Sequence, residues 1–130
     1  LDFLPTACAL AGIAPPKDRA LDGGSLLPLF SGNPVIRPHP LFWQYDFALN
    51  APHQLALRDG PWKLLASTTL DQVELYDLSS DVSEKQNVAA QYADRVKAMT
   101  ATLRALRTEI AAEGAQSGNP PARQNAAKKE

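Results

Sequence analysis

The chain has 130 residues, of which 45% are hydrophobic, and a formal net charge of -1 at pH 7. This length supports one domain with one substantial hydrophobic core. The near-neutral charge provides no electrostatic footprint for nucleic acid, and no apolar run reaches the roughly 18 residues that a membrane span requires. The single cysteine excludes an internal disulfide bond. Because the chain starts without Met or a basic leader, we expect a processed start or a piece of a longer protein.

Two helical segments are predicted near the start of the chain. Residues 1–13 favour a helix, with Asp2 as its N-cap and Gly12 as its C-cap. Apolar residues occupy nearly every side of this helix, so we expect it to require burial on most sides. A short helical turn is predicted at 25–32.

Four strands are predicted, at 39–46, at 73–78 and in a hairpin within 54–67. Alternation along the hairpin places on one face the side chains of Leu55, Leu57, Trp62 and Leu64. Since Pro61 has no N–H, a two-residue turn at Asp59 and Gly60 lacks its closing hydrogen bond. We therefore expect an open or longer loop.

A long helix is predicted after Asp81 and Glu84, which resemble a capping arrangement. Its apolar stripe recurs at spacings of three and four and consists of Val88, Tyr92, Val96, Met99, Leu103, Leu106 and Ile110. The predicted fold class is α+β: a small four-stranded antiparallel sheet packed against one long C-terminal helix and preceded by a short apolar helix. Residues 114–130 are predicted to be a disordered tail, because Ala, Gln, Ser, Gly, Asn, Pro, Arg and Lys dominate them without periodicity.

Titratable residues offer few candidates for chemistry. Cys8 lies in an apolar run without a basic neighbour, which predicts a buried core thiol. His39 and His53 have too few partners at short spacing for a zinc or catalytic set, so both are interpreted as loop or strand-end residues. Asp77 and Asp81 do not follow the spacing of a calcium loop and are interpreted as turn and cap residues.

Aromatic and basic residues near the hairpin suggest binding without defining it. Tyr45 could stack on a sugar or aryl ring or pack in the core, whereas Trp62 is in phase with the hairpin core and is interpreted as part of it. Arg58 and Lys63 could hold an anionic group, but such residues more often line the polar face of a hairpin. The residues alone predict a fold and no catalytic centre.

Five segments, in order, resemble the C-terminal portion of the sulfatase (arylsulfatase-type) family of the alkaline-phosphatase superfamily. They are D-F-L-P-T through A-G at 2–12, L-D-G-G-S-L-L-P-L at 21–29, P-L-F-W at 40–43, A-L-R-D-G-P-W-K-L at 56–64, and E-L-Y-D-L through N at 74–87. The resemblance implies that 1–32 ends the main sulfatase domain, that 33–113 forms the C-terminal subdomain, and that 114–130 is a tail.

The resemblance also implies a function. Family members hydrolyse sulfate esters with a formylglycine, made from Cys or Ser in a C/S-x-P/A-x-R motif, and with a calcium ion. This chain contains neither the motif nor the family's metal ligands, so calcium and formylglycine are expected only in a full-length parent. The chain is then expected to be inactive alone and to supply stability and pocket wall. Its expected partners are the rest of the catalytic domain and a sulfated carbohydrate or aryl sulfate, in a periplasmic or secreted setting.

Three residues near the predicted pocket are substrate-contact candidates: Tyr45, Asp46 and His53. Many family members carry Glu-His after the Phe-Trp pair, whereas residues 44–46 of this chain are Gln-Tyr-Asp. The histidine that the family places in the pocket therefore has no counterpart at this position. Two alternatives stay open at this point. The chain could be a free-standing structural or interaction module derived from the subdomain, or a fragment of a related phosphonate or phosphate ester hydrolase.

Overall fold

The computed structural model describes residues 1–18, 20–45 and 52–116, and the chain divides into two compact units, Leu1–Leu41 and Phe42–Glu130. The sequence-based boundary after residue 32 lies within the first unit. The elements are α1 (Phe3–Ala11), a 3₁₀ helix (Leu27–Ser31), β1 (Leu41–Gln44), β2 (Leu55–Asp59), β3 (Trp62–Ala66), β4 (Val73–Asp77) and α2 (Ala93–Gln116).

The four strands form one antiparallel sheet in the order β1-β2-β3-β4, and α2 is the long C-terminal helix. The predicted α+β fold class is therefore confirmed. No helix within the described ranges is long and apolar enough to cross a membrane.

The β2–β3 hairpin forms the centre of the core in the second unit. Leu57 pairs with Leu64 and Leu55 pairs with Ala66, and the exposed fraction of each residue is 1% or less. Leu75 of β4 and two α2 residues, Met99 and Leu103, complete this buried cluster. Full burial of one such side chain contributes about 1.5–3 kcal/mol, so this cluster is a substantial source of stability for the unit.

The hairpin turn differs from the prediction. Asp59 pairs with Trp62, so Gly60 and Pro61 form a two-residue connection and the expected longer loop is wrong. The turn lies one residue further along than the sequence suggested, which places Pro61 where no ladder N–H is required. Gly60 has a φ of +56°, a conformation that glycine adopts without steric cost. The Pro61 carbonyl accepts a hydrogen bond from the Leu78 N–H at 2.8 Å.

The long helix begins at Ala93, so the predicted start after Asp81 is wrong. The Asp81 carboxylate does accept two backbone N–H groups, from Lys85 and Gln86, both at 2.8 Å. It caps an isolated turn, because Glu84 has a φ of +54° and cannot continue a right-handed helix.

Residues just before α2 bind the edge of the sheet instead. The Asn87 side-chain carbonyl accepts a hydrogen bond from the Leu75 N–H at 3.1 Å, and the Val88 N–H donates to the Leu75 carbonyl at 2.9 Å. Val88 therefore packs on the core from an irregular segment. At its other end, α2 continues to Gln116, beyond position 113 where the predicted domain ended; residues 117–130 lie outside the described residues.

In the first unit, Asp2 binds distant residues rather than capping α1. Asp2 makes no side-chain capping bond, which corrects the prediction, whereas Gly12 caps the C-terminus as predicted with a φ of +67°. The Asp2 carboxylate accepts bonds from Arg37 Nε at 2.9 Å, from Arg37 Nη2 at 2.6 Å and from the Gly24 N–H at 3.0 Å. These contacts lower the pKa of Asp2 to about 2, and the hydrogen bond from Arg37 has the largest effect.

Close backbone packing surrounds this ion pair. A Cβ at Gly24 would overlap the Ile36 carbonyl, so only glycine fits there. Beside it, Thr6 Oγ1 accepts the Leu26 N–H at 3.0 Å. Segments 2–6, 21–29 and 35–37 thus meet around one carboxylate.

The apolar surface of α1 is largely uncovered in this unit. Only Pro5 and Cys8 are buried, and Cys8 is 5% exposed, as expected for a core thiol. Phe3 and Leu10 are 84% and 72% exposed, and Ile13, two residues after the helix, is 61% exposed. The predicted burial on most sides is therefore not provided within the described part of the chain.

We predict that Asp2→Asn weakens the first unit by about 1.5 kcal/mol at neutral pH, since a partly exposed bidentate ion pair is lost. Hydrogen exchange of the α1 amides measures this. The folded pKa of Asp2 is below the unfolded value of 3.8, so its stabilisation is present above pH 3.8 and is lost as the pH falls toward 2. Wild type and variant should therefore converge in that window. Asp22→Asn, at an exposed acid of the same unit, is the control; an equal effect of both variants would contradict the prediction.

Candidate functional site

Two of the predicted site residues lie at the same end of the sheet. Tyr45 follows β1 directly and His53 lies two residues before β2. The Tyr45 N–H donates to the Gln54 carbonyl at 2.9 Å, which holds the two strand ends side by side. The Tyr45 residue is 62% exposed, whereas the His53 side chain is 13% exposed. The third predicted residue, Asp46, lies outside the described residues.

His53 contacts an acidic residue of β4. His53 Nδ1 lies 3.7 Å from Glu74 Oε2, and the same oxygen accepts a hydrogen bond from the Tyr76 hydroxyl at 2.8 Å. Glu74 and Tyr76 are two residues apart on one strand, so their side chains leave the same face of the sheet. We refer to these three residues as the His53–Glu74–Tyr76 cluster.

Burial fixes the protonation of the tyrosine in this cluster. Tyr76 is 7% exposed, and this burial, followed by the hydrogen bond to Glu74, raises the pKa of Tyr76 to about 12. The hydroxyl therefore remains a hydrogen-bond donor to Glu74 at neutral pH.

The basic residues considered as anion ligands have partners within the chain. Lys63, which pairs with Tyr76 across the sheet, places Nζ 2.7 Å from both carboxylate oxygens of Glu84. Arg58 Nε donates to the Gly60 carbonyl at 3.3 Å at the exposed hairpin turn. Lys63 thus supports the polar face of the sheet through its ion pair with Glu84.

Trp62 packs its ring against other side chains of the same chain. Its ring lies 4.9 Å from the ring of Tyr92, and the guanidinium carbon of Arg95 lies 4.5 Å from its centroid. It also packs on the buried cluster, which confirms its interpretation as a core residue. A groove of about 640 Å³ near the start of α2 is lined partly by Tyr92 and Arg95, but it includes neither Tyr45 nor His53.

The acidic residues that the sequence analysis compared with a calcium loop, Asp77 and Asp81, bind their own chain. Within the described ranges, no group of three or more His, Cys, Asp or Glu side chains lies close enough to hold a metal ion. Asp77 Oδ1 accepts the N–H and hydroxyl of Ser79, and the Asp81 carboxylate accepts backbone N–H groups. Both acids have the turn and cap roles that the sequence predicted.

Sequence reasoning missed Glu74 and Tyr76 as companions of His53. The alternation of β4 places both on one face, and this signal was present in the sequence. Their contact with His53 depends on the order of the strands, which a local pattern does not contain.

Residues 1–109 match the family described as N-sulphoglucosamine sulphohydrolase, C-terminal. Arylsulfatase K of Xenopus laevis is 35% identical over 117 residues, which cover 82% of this chain and 21% of that protein. Delta 4,5-hexuronate-2-O-sulfatase of Bacteroides thetaiotaomicron is 34% identical over 92 residues, with coverages of 68% and 19%. The solved structure of a 2-O GAG sulfatase superposes with a TM-score of 0.61 at 27% identity, over 95% of this chain and 27% of that one.

The fold and these matches define the class as the C-terminal region of sulfuric ester hydrolases. The chain belongs to the sulfatase family and corresponds to its C-terminal domain. It spans about a fifth of the length of the curated relatives that it matches.

We predict that one of the three tyrosines ionises near pH 12. Burial beside the Glu74 carboxylate disfavours the phenolate of Tyr76, whose pKa is raised to about 12. Absorbance titration at the phenolate band measures this, and Tyr76→Phe should remove that component alone. Tyr92→Phe is the matched control, and loss of the same component in it would contradict the assignment.

Proposed function

We propose that the whole protein hydrolyses a sulfate ester on a glycan that contains a hexuronate, and that this chain forms part of the wall of its substrate pocket. The observation that carries the proposal is the family match over residues 1–109. The names of two matched proteins, a hexuronate-2-O-sulfatase and a 2-O GAG sulfatase, support the substrate class.

Tyr45 and His53 are the proposed substrate contacts of this chain. An exposed aromatic ring can stack on a sugar, and an imidazole can exchange hydrogen bonds with a hydroxyl or a sulfate. Their shared position at one end of the sheet supports a joint role. Asp46, between them in sequence, stays a prediction.

The catalytic groups are proposed to come from the remainder of the protein. A formylglycine and a calcium ion are expected there, and no reaction step is assigned to the residues of this chain. Exposed apolar residues in and just after α1 support a contact with that remainder, since an uncovered apolar surface of this kind marks an interaction site. They are Phe3 and Leu10 of the helix and Ile13 after it.

In the full-length protein, we expect Tyr45→Ala and His53→Ala each to raise KM about fivefold or more while leaving the fold intact, because each removes a substrate contact. Steady-state kinetics with a 2-O-sulfated hexuronate disaccharide measure this. Lys97→Ala, at an exposed residue of α2, is the control and should leave KM unchanged. Unchanged KM in both site variants would remove these residues from the pocket.

The 130-residue chain on its own should not turn over a chromogenic aryl sulfate, since its sequence contains no C/S-x-P/A-x-R motif and the residues at 1–18, 20–45 and 52–116 include no group that could hold a metal ion. The full-length protein, assayed in parallel, is the positive control. Turnover by the purified chain would show that its own residues carry the reaction and would overturn the assignment of catalysis to the remainder.

A further inference from the structure

Glu74 lies between a buried hydroxyl and a mostly buried imidazole. Its Oε2 accepts the Tyr76 hydroxyl at 2.8 Å and lies 3.7 Å from His53 Nδ1. The His53 side chain is 13% exposed and that of Glu74 is 33% exposed. Because a carboxylate oxygen has more than one lone pair, Glu74 can accept hydrogen bonds from both partners after a small movement of the imidazole.

The residues around Glu74 leave its carboxylate able to accept a hydrogen bond from His53. The Tyr76 hydroxyl donates to Glu74 Oε2 and uses one acceptor position of that oxygen, so the Glu74 side chain keeps further acceptor positions for His53. Lys63, on the neighbouring strand β3, forms its ion pair with Glu84 and not with Glu74. A neutral imidazole beside an acceptor carries its proton on the nearer nitrogen.

We infer that Glu74 is a positioning residue for His53: its carboxylate holds the ring proton on Nδ1 and thereby presents the Nε2 lone pair to a hydroxyl of the substrate. The substrate part of this inference rests on the proposed function, whereas the position of the proton does not. The expected ligand group is a sugar hydroxyl that donates a hydrogen bond, since neutral Nε2 is then an acceptor.

The tautomer of His53 tests the first part. Nitrogen-15 NMR of the 130-residue chain at about pH 8.5, above the usual range of imidazole titration, reports which ring nitrogen carries the proton. The chain has two histidines, so a His39→Gln variant assigns the signals. We expect Nδ1–H in the wild type.

Two matched variants isolate the carboxylate. Tyr76→Phe keeps Glu74 and should retain Nδ1–H, whereas Tyr76→Phe with Glu74→Met removes the carboxylate without leaving a buried hydroxyl unpaired. The double variant should shift His53 to Nε2–H, the form that an unassisted imidazole prefers. Nε2–H in the wild type, or Nδ1–H retained in the double variant, would overturn the inference. If the double variant loses its dispersed spectrum, the wild-type tautomer alone decides.

Kinetics of the full-length protein test the second part. Relative to Tyr76→Phe, the double variant should raise KM about fivefold with kcat changed less than about twofold, as expected when one hydrogen bond to bound substrate is lost. An unchanged KM with a shifted tautomer would overturn the substrate role of Nε2. Absence of sulfatase activity in the full-length wild type would instead refute the proposed function and leave the tautomer result standing.

Discussion

The second unit depends on the register of the β2–β3 hairpin. Leu57 faces Leu64 and Leu55 faces Ala66, and all four are almost completely buried. A shift by one residue would reverse every side chain, turn the leucines outward and bring Lys63 into the core. Each buried leucine contributes about 1.5–3 kcal/mol, and burial of an unpaired charge costs more than that, so one register is strongly favoured.

This constraint explains which parts of the fold could be predicted. The hairpin faces, β4 and the fold class follow from alternating apolar residues, a pattern that tertiary packing reinforces. The start of α2 could not be read in the same way. Val88 fits the helical stripe, yet the Asn87 side chain and the Val88 backbone bond Leu75 at the sheet edge. Local bonds of this kind compete with a helix, and periodicity alone does not reveal which prevails.

The role of Asp2 was hidden for a related reason. An acidic residue just before a helix is expected to cap it, and a local sequence pattern predicts only this role. Here the carboxylate instead pairs with Arg37, far along the chain, and with the Gly24 N–H. The bidentate pair joins two opposite charges, whereas a cap would join the carboxylate to a neutral N–H group, so the distant partner prevails. Asp2 and Gly24 each belong to a segment of the family resemblance, at 2–12 and 21–29, and Arg37 lies between the segments at 21–29 and 40–43. The hydrogen bond from the Gly24 N–H to Asp2 therefore joins two of these segments directly.

The candidate site follows from the same alternation that builds the core. Tyr45 and His53 could be proposed from the resemblance and from their places at strand ends, but Glu74 could not, because its contact with His53 crosses the sheet. Leu75 is buried toward α2, and its neighbours on β4, Glu74 and Tyr76, must therefore leave the opposite face together. The burial of Leu75 thus determines the face of the sheet from which Glu74 and Tyr76 extend toward the cluster. A change that alters the register of β4 would disturb the core and the cluster at the same time, whereas a change confined to the polar face would disturb the cluster alone.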